Sequence, residues 1–507
     1  MMSELIARID LVIVVLYLLG TLGIAFVVSS KSRDVEGYTV GNRGMAGWVI
    51  GLSVLGTFTS SITFLGLPAK TYLDGNWNAY VFTLSLPLAA VVAVQYFVPL
   101  YRRGVRISAY ELLERRFGYW ARAYANLSYI GLQLGRIASV LLLVAMAVSP
   151  LLDLPIVPTL IILGTLVIIY DTLGGIQAVI WTDVLQVFVL LGGAIWCLAQ
   201  LAVAYPGGPA HLWESVPAGS FSLGPVASWD LAQSTVLVIL IYGITENLRN
   251  YGTDQSYVQR LLAAHSDRAA GASIWIGALS YVPVSFLFCM IGTALAVQFP
   301  LAEQSALTTA DQVFPYFIKY ELPGPVTGLV VAAILAAAMS TVDSSLNASS
   351  TVLYADVIQR LRLAPDWVPG IYILRGATIV FGVLGTAGSV LLFELVEETS
   401  TIMDAWWQFS GIAGGGMFGL FLVAWLMPRL PAWLAAVGVV LTLPVLAWGT
   451  FARGLGDDSA WQWLECPLHK NLVGVSATLV LLLVAGAGVL AVRGGLIAGN
   501  PRSSATP

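Results

Sequence analysis

Gly56-Thr57-Phe58-Thr59-Ser60-Ser61-Ile62-Thr63 puts hydroxyl-bearing and β-branched residues in the middle of an apolar run. Apolar sequence continues on both sides, over roughly the 20 residues that a bilayer-spanning helix needs. Gly51, Gly56, Gly66 and Pro68 flank the stretch and favour local unwinding. Unwound backbone presents carbonyls to a cation and amides to a solute, and a membrane tolerates it only where it lines a cavity inside the protein. The stretch therefore reads as a spanning helix broken near the midplane.

The composition around it agrees. Of 507 residues, 58% are hydrophobic and only 10% charged, with a mean hydropathy of +0.83. A soluble domain carries roughly 25% charged residues, so most of this chain must be solvated by lipid. A soluble enzyme, a nucleic-acid binder and a disordered scaffold are excluded, and a net charge of −4 signals no polyanionic partner. Cys197, Cys289 and Cys466 are too few and scattered for a disulfide framework or a cysteine-ligated metal. None of Lys31, Lys70, Lys319 and Lys470 follows a glycine, so there is no Walker A loop and no ATP motor. His211, His265 and His469 fall in expected loops, leaving no histidine in the bilayer for haem or catalysis. The expectation is a non-enzymatic, all-α polytopic membrane protein, one transmembrane domain over 1–507.

Thirteen apolar segments are long enough to span: 9–28, 45–68, 79–101, 123–150, 156–172, 177–203, 231–252, 270–298, 325–352, 370–395, 400–427, 431–452 and 472–492. The start lacks the basic residues of a secretory signal, so the first span reads as retained. Alternate loops, Lys31 and Arg33 onward to Arg493 and Arg502, hold seventeen Lys and Arg residues. The opposite side holds five: Arg8, Lys70, Lys319, Arg453 and Lys470. That bias predicts the amino terminus outside and the carboxyl terminus in the cytoplasm of a plasma or inner membrane. The connecting loops are short. Gly207–Ser228 and Pro300–Leu322 read as external lids, and Ala109–Trp120 as an amphipathic helix on the cytoplasmic surface.

Four ionisable residues stand out in the spans, Arg136, Asp183, Glu246 and Asp343, and each needs a partner, a cavity or a job. Ser340, Asp343 and Ser344 share one helix face at i, i+3 and i+4, with small Ala337 one turn earlier. Hydroxyls, carbonyls and a carboxylate are the ligands that hard cations prefer. The same pattern also serves as a plain helix-packing face. The seventh span has its own polar interruption, Tyr242-Gly243-Ile244-Thr245-Glu246-Asn247. Two broken helices five spans apart point to a transporter's central site. The aromatics Tyr80, Phe82, Tyr242, Tyr251, Trp406, Trp407 and Phe409 are candidate gates, with Gln408 and Ser410 as polar neighbours.

These residues resemble the sodium:solute symporter family. The resemblance covers nearly the whole chain and is carried by Gly174-Gly175-Ile176-Gln177-Ala178-Val179-Ile180-Trp181-Thr182-Asp183-Val184-Leu185-Gln186, by Ala336–Asn347 and by Asp254-Gln255-Ser256-Tyr257-Val258-Gln259-Arg260. It implies 13 transmembrane helices with a leucine-transporter-type five-plus-five inverted repeat. The leading helix would be 9–28, the first repeat 45–203, the second 231–427, the trailing pair 431–492 and the cytoplasmic tail 493–507. It implies Na+ held by the carbonyls of Gly56, Thr59 and Ala337 and the hydroxyls of Ser340 and Thr341. A second sodium site, present in some branches, would use Asp183, Ser340, Asp343 and Ser344, with Gln186 nearby.

Asp343 stands where the family has a small hydroxyl or neutral residue; a second carboxylate there would tighten a cation site, carry a proton or neutralise Arg136. Ser60-Ser61-Ile62-Thr63-Phe64, Pro68-Ala69-Lys70 and Gly135-Arg136 are similar to the sialic acid branch, where the positions of Ser60, Thr63 and Arg136 hold a carboxylate-bearing sugar. Asn247 matches a sugar-contacting asparagine, and Phe82 and Gln408 complete the candidate solute contacts. Phe58 replaces a hydroxyl residue and a glutamine expected near Thr83 is missing, so the implied solute is a small carboxylate or acidic sugar, moved with sodium by alternating access. A proton-coupled carrier using Asp183 and Asp343, and a sodium-coupled transporter of a neutral sugar or polyol, are the alternatives.

Overall fold

The structure is a computed structural model that describes residues 2–29, 34–152, 154–300, 309–323, 326–395, 401–453 and 462–497. Lys31, Arg33, Arg502 and the tail beyond residue 497 lie outside the described residues, as does the side chain of Arg8. Within the described residues the chain is helical. Its main helices are α1 (Met2–Ser29), α2 (Gly47–Phe58), α3 (Leu67–Asp74), α4 (Tyr80–Leu84), α5 (Leu86–Val92), α6 (Tyr119–Leu152) and α7 (Ile156–Ala204). There follow α8 (Val236–Thr253), α9 (Gln255–Ala263), α10 (Asp267–Gln298), α11 (Val326–Val352), α12 (Gly370–Leu395), α13 (Ile402–Leu426), α14 (Ala432–Phe451) and α15 (Val473–Arg493).

Ten helices among the described residues are long and apolar enough to cross a bilayer, and eleven if a bent pair counts as one. The other two expected spans are the shorter apolar helix Ile156–Ile169 and α8, which carries Glu246 and Arg249. Large apolar side chains face outward along these helices. Leu16, Phe26, Phe188 and Leu483 are each more than half exposed, which suits a lipid solvent and no other. By contrast, α11 is buried from Ala332 to Val352 and forms the central pillar.

The expected break in the second span is present. Gly47–Phe58 and Ile62–Asp74 meet at 53° across Thr59, Ser60 and Ser61. Thr59 closes α2 with φ −88° and ψ 65°, and its amide and hydroxyl both return to the Leu55 carbonyl at 2.8 Å. The expected interruption at Tyr242–Asn247 is not. α8 runs unbroken through Gly243, because that glycine serves close packing: a Cβ there would lie 2.5 Å from Ser85 Oγ. The break falls later, at Asp254 (φ −80°, ψ 115°), whose carboxylate accepts the Ser256 amide at 2.9 Å and so caps α9.

The expected spans 156–172 and 177–203 join in α7, turned at Gly175 with φ 68° and ψ 176°. A Cβ at Gly175 would also meet the Tyr38 ring at 2.9 Å, so glycine is needed there twice over. Ala109–Trp120 contains a helix at Glu111–Phe117, and its Arg116 binds the carbonyls of Met427, Pro428 and Leu430 just past the end of α13. Of the expected lids, the Gly207–Ser228 segment docks on the turn before α4, where the Trp77 amide donates to the Ser222 carbonyl at 2.7 Å. Residues 301–308 of the other lie outside the described residues.

Candidate functional site

The break in the second span opens onto a cavity. Its walls come from the break itself (Thr57, Phe58, Ser60, Thr63), from α4 (Phe82, Thr83), from α6 (Arg136), from α8 (Tyr242, Glu246, Asn250) and from α13 (Met403, Trp406, Trp407). Tyr257, Tyr281 and Thr341 line it too, with apolar Ile62, Leu67 and Ala79. About 70 Å³ of it is open to the centres of water molecules, room for several waters.

Four candidate solute contacts line this cavity: Ser60, Thr63, Phe82 and Arg136. Asn247 and Gln408 do not. The Asn247 amide donates to Ser85 Oγ at 2.9 Å and pins α8 to the turn between α4 and α5. Gln408 follows Trp407 by one residue, about 100° around the helix, which carries it off the wall. The same geometry puts Phe409 against Gly135 instead of at a gate. Tyr80 is tied to the Val282 carbonyl, and Tyr251 packs edge-on behind Phe58, so neither faces the cavity.

Arg136 lies on the midpoint wall, its guanidinium 5.3 Å from the Trp406 ring centre. Its partner is Asp254, at 3.2 Å, and not Asp343. Asp254 is shared: Tyr129 Oη and Gln133 Nε2 donate to it at 3.1 and 3.3 Å while it caps α9. Glu246 is held within α8 by Arg249, whose Nε and Nη2 approach at 2.9 and 2.5 Å, and by Ser410 Oγ. The i, i+3 spacing of Glu246 and Arg249 was visible in the sequence; Tyr281, whose hydroxyl meets Thr63 Oγ1 at 3.0 Å, carries no signal that singles it out.

Beneath the cavity, α2 ends against α11. A Cβ on Gly56 would lie 2.9 Å from Ser340 Oγ, so only glycine allows this approach. The last four carbonyls of a helix lack intrahelical donors. Thr59 takes that of Leu55 and Thr63 Oγ1 that of Phe58. On α11, Thr341 Oγ1 reaches the Ala337 carbonyl at 3.3 Å. All five residues of the first expected cation set thus belong to the α2 end and one face of α11.

The second expected set contains a cation already. Arg260, counted in the sequence as a cytoplasmic loop charge, is fully buried. Its Nη2 lies 2.9 Å from Asp183 Oδ2 and 2.6 Å from Ser344 Oγ, and its Nε donates to Ser53 Oγ at 2.8 Å. Ser340 Oγ donates to Asp183 Oδ1 at 2.5 Å. Asp183, Ser340 and Ser344 are therefore brought together, but around a guanidinium. Asp343 is fully buried on α11, near Tyr17 and Gln186 of neighbouring helices.

Ionic clusters stand at the two ends of the bundle. At the end nearer Met403, Lys70 lies 3.0 Å from Asp74 and 3.2 Å from Asp404, while Lys470 lies 3.5 Å from Asp404. There a Cβ on Gly66 would lie 3.2 Å from that of Met403, so the broken span and α13 touch. At the other end Arg122 joins Glu114 (2.5 Å) and Asp356, which also receives Ser108 Oγ at 2.7 Å.

The sequence profile of the Sodium:solute symporter family matches residues 38–441. The chain is 30% identical over 433 residues to the sodium/sialic acid symporter SiaT of Proteus mirabilis, covering 84% of this chain and 86% of that one. It is 26% identical over 469 residues to sodium-coupled monocarboxylate transporter 2 of Bos taurus, covering 90% and 74%. Among solved structures, the substrate-bound outward-open state of a Na+-coupled sialic acid symporter superposes with a TM-score of 0.84 at 28% identity, over 97% of this chain and 98% of that one. Mhp1, a nucleobase-cation-symport-1 family transporter, superposes at 0.58 with 13% identity over 92% and 97%, a likeness of fold alone.

Proposed function

From the premise that the chain belongs to the sodium:solute symporter family, we propose that it is a sodium-coupled symporter that takes up a small organic acid by alternating access. The observation that carries the solute class is Arg136: its ion pair with Asp254 runs through Nη2 and leaves the rest of the guanidinium on the cavity wall among Ser60 and Thr63. A planar fork of donors in that position suits a carboxylate.

Sodium is assigned to the carbonyls of Gly56, Thr59 and Ala337 and the hydroxyls of Ser340 and Thr341. Ser340 spends its proton on Asp183, which leaves its oxygen lone pairs for a cation. Asp183 and Arg260 are then positioning residues for Ser340, and Arg260 takes the place of a second sodium ion. Cation binding joins the broken span to α11 and readies the cavity above it. Solute binding closes the Lys70–Asp404 end; release follows when the Arg122–Asp356 end opens. Each sodium entering contributes about 2.3 kcal/mol per 100 mV of membrane potential, enough for uphill uptake. In the same reading the spans number thirteen, 45–203 and 231–427 are the inverted repeats with 9–28, 431–492 and 493–507 around them, and the amino terminus faces outside.

The test is uptake of labelled organic acids into vesicles reconstituted with the purified protein. Accumulation above equilibrium under a sodium gradient, abolished when choline replaces sodium at fixed pH, is expected. Uptake that persists in choline belongs to a proton-coupled carrier. Arg136→Ala should abolish carboxylate uptake while leaving sodium-induced stabilisation in place; unchanged uptake would make the arginine structural.

A further inference from the structure

Behind the wall of the central cavity lies a second, smaller one. Tyr242 and Glu246 border both spaces and form the partition between them. The smaller space lies between α8, α13 and the entry to α15, where Arg249, Gly411, Gly415, Asn471 and Gly474 enclose it. Backbone contact between α13 and α15 seals one side. A Cβ on Gly474 would collide with the Gly411 carbonyl, and one on Gly415 would lie 2.5 Å from the Gly474 carbonyl oxygen. About 10 Å³ is open to the centres of water molecules, room for one.

Two buried side chains meet this space, Arg249 at 1% exposure and Asn471 at 2%. The guanidinium directs Nε and Nη2 at Glu246, and Nη2 also reaches Asn250 and Ser410. Its Nη1, with two N–H groups, has no hydrogen-bond partner among the described residues, and neither has Asn471 Oδ1. The Asn471 backbone is fixed by His469, whose Nδ1 accepts its amide at 3.3 Å. Buried groups left unpaired are costly. Here one lacks an acceptor, the other lacks a donor, and both border the same space.

Charge decides what can fill it. Glu246 already neutralises the Arg249 guanidinium, so an anion would add an uncompensated buried charge, and a cation would face the Nη1 donors. Water accepts on one side and donates on the other. Thr245 also borders the space; its hydroxyl gives its proton to the Ile241 carbonyl at 2.9 Å and keeps a lone pair for the second hydrogen of the water.

We propose that one resident water sits here, accepting from Arg249 Nη1 and donating to Asn471 Oδ1. Through it the start of α15 sets the guanidinium that grips Glu246. Asn471 is then a positioning residue for a wall of the central cavity that it does not itself border. The trailing helix, outside both expected repeats, reaches the solute space by this route, whatever solute that space takes.

The test is a map of the full-length protein at a resolution that shows ordered waters, beside maps of Asn471→Leu and Asn471→Ser. The parent alone decides the water: a solvent peak within hydrogen-bond reach of both Arg249 Nη1 and Asn471 Oδ1 is expected. No peak there while waters appear elsewhere in the interior, or direct contact between Arg249 and Asn471, overturns the site. Anomalous signal at that peak in crystals soaked in bromide would make the ligand an anion and overturn it too. Asn471→Leu has a similar volume and no acceptor; the peak should vanish and the guanidinium should turn, giving up one of its two contacts with Glu246. Asn471→Ser keeps an oxygen and leaves room for a second water, so both contacts should return. Both contacts intact in Asn471→Leu, or still broken in Asn471→Ser, overturns the positioning role.

Discussion

Arg260 Nη2 lies 2.9 Å from Asp183 Oδ2, with both side chains wholly out of contact with solvent. The guanidinium ties α9 to α7, α2 and α11 at once through Asp183, Ser53 and Ser344. A buried charge left without its partner costs about 3–5 kcal/mol, whereas removing both charges costs much less. Arg260→Met is therefore expected to lower the unfolding temperature in detergent sharply. Asp183→Asn combined with Arg260→Met should recover most of the loss. Additive damage in the double variant would contradict the pairing.

Ser340→Ala deletes one of the proposed sodium ligands and the hydrogen bond to Asp183. The loss of one such contact is worth about 1–2 kcal/mol, so the sodium concentration for half-maximal uptake should rise roughly tenfold. Gly56→Ala puts a methyl 2.9 Å from Ser340 Oγ and 3.2 Å from Val187 Cγ2. Overpacking of that kind costs about 1–3 kcal/mol and should push α2 and α11 apart with the same effect on sodium. Sodium titrations of uptake check both, and unchanged half-saturation in either would move the ion elsewhere.

Lys70 and Asp404 close one end of the cavity across 3.2 Å. Asp404→Asn weakens that latch while preserving shape. A cysteine at Thr63, on the cavity wall, should then react several-fold faster with a membrane-impermeant maleimide applied from outside, since an ion pair of this partly buried kind is worth about 1 kcal/mol. Equal labelling rates would show that the pair is no latch.

Asp311, in the segment before α11, accepts the Ile402 amide at 2.9 Å, steadying the start of α13. Burial pushes its carboxyl up to about 6; the Ile402 amide offsets part of that and the nearby Asp404 charge adds to it. The folded protein thus keeps a proton that the unfolded chain gives up at lower pH. Stability is expected to fall as pH rises from about 4 to about 6, and the loss of about 3 kcal/mol persists above that window. Asp311→Asn keeps an acceptor for Ile402 and removes the charge. It should melt higher than the parent at neutral pH and match it below about pH 4; a gap that does not close in acid would contradict this account.

The break at Thr59–Ser61 was readable because it is local: glycines, hydroxyls and proline interrupt an apolar run within a dozen residues. Gly243 looked the same and behaves differently, because whether a glycine unwinds a helix or lets a neighbour approach depends on what lies opposite, here Ser85. Ser60, Thr63, Phe82 and Arg136 were found at the cavity because they sit on or beside the break or matched a related motif. Asn247 and Gln408 matched or neighboured such positions and point elsewhere, into Ser85 and off the wall. Asp254 and Arg260 lay in plain view in a quoted motif, yet their roles were not visible without their partners.

Composition alone settled that lipid is the solvent, since 10% charged residues cannot hydrate a chain of 507. Local periodicity placed the helices and the broken span, because both are set by residues close along the chain. Which buried charge answers which was decided only in three dimensions: Asp183 with Arg260, 77 positions away, and Arg136 with Asp254. A charge in a low-dielectric interior takes the opposite charge that packing brings within a few ångströms, and sequence spacing does not encode that distance.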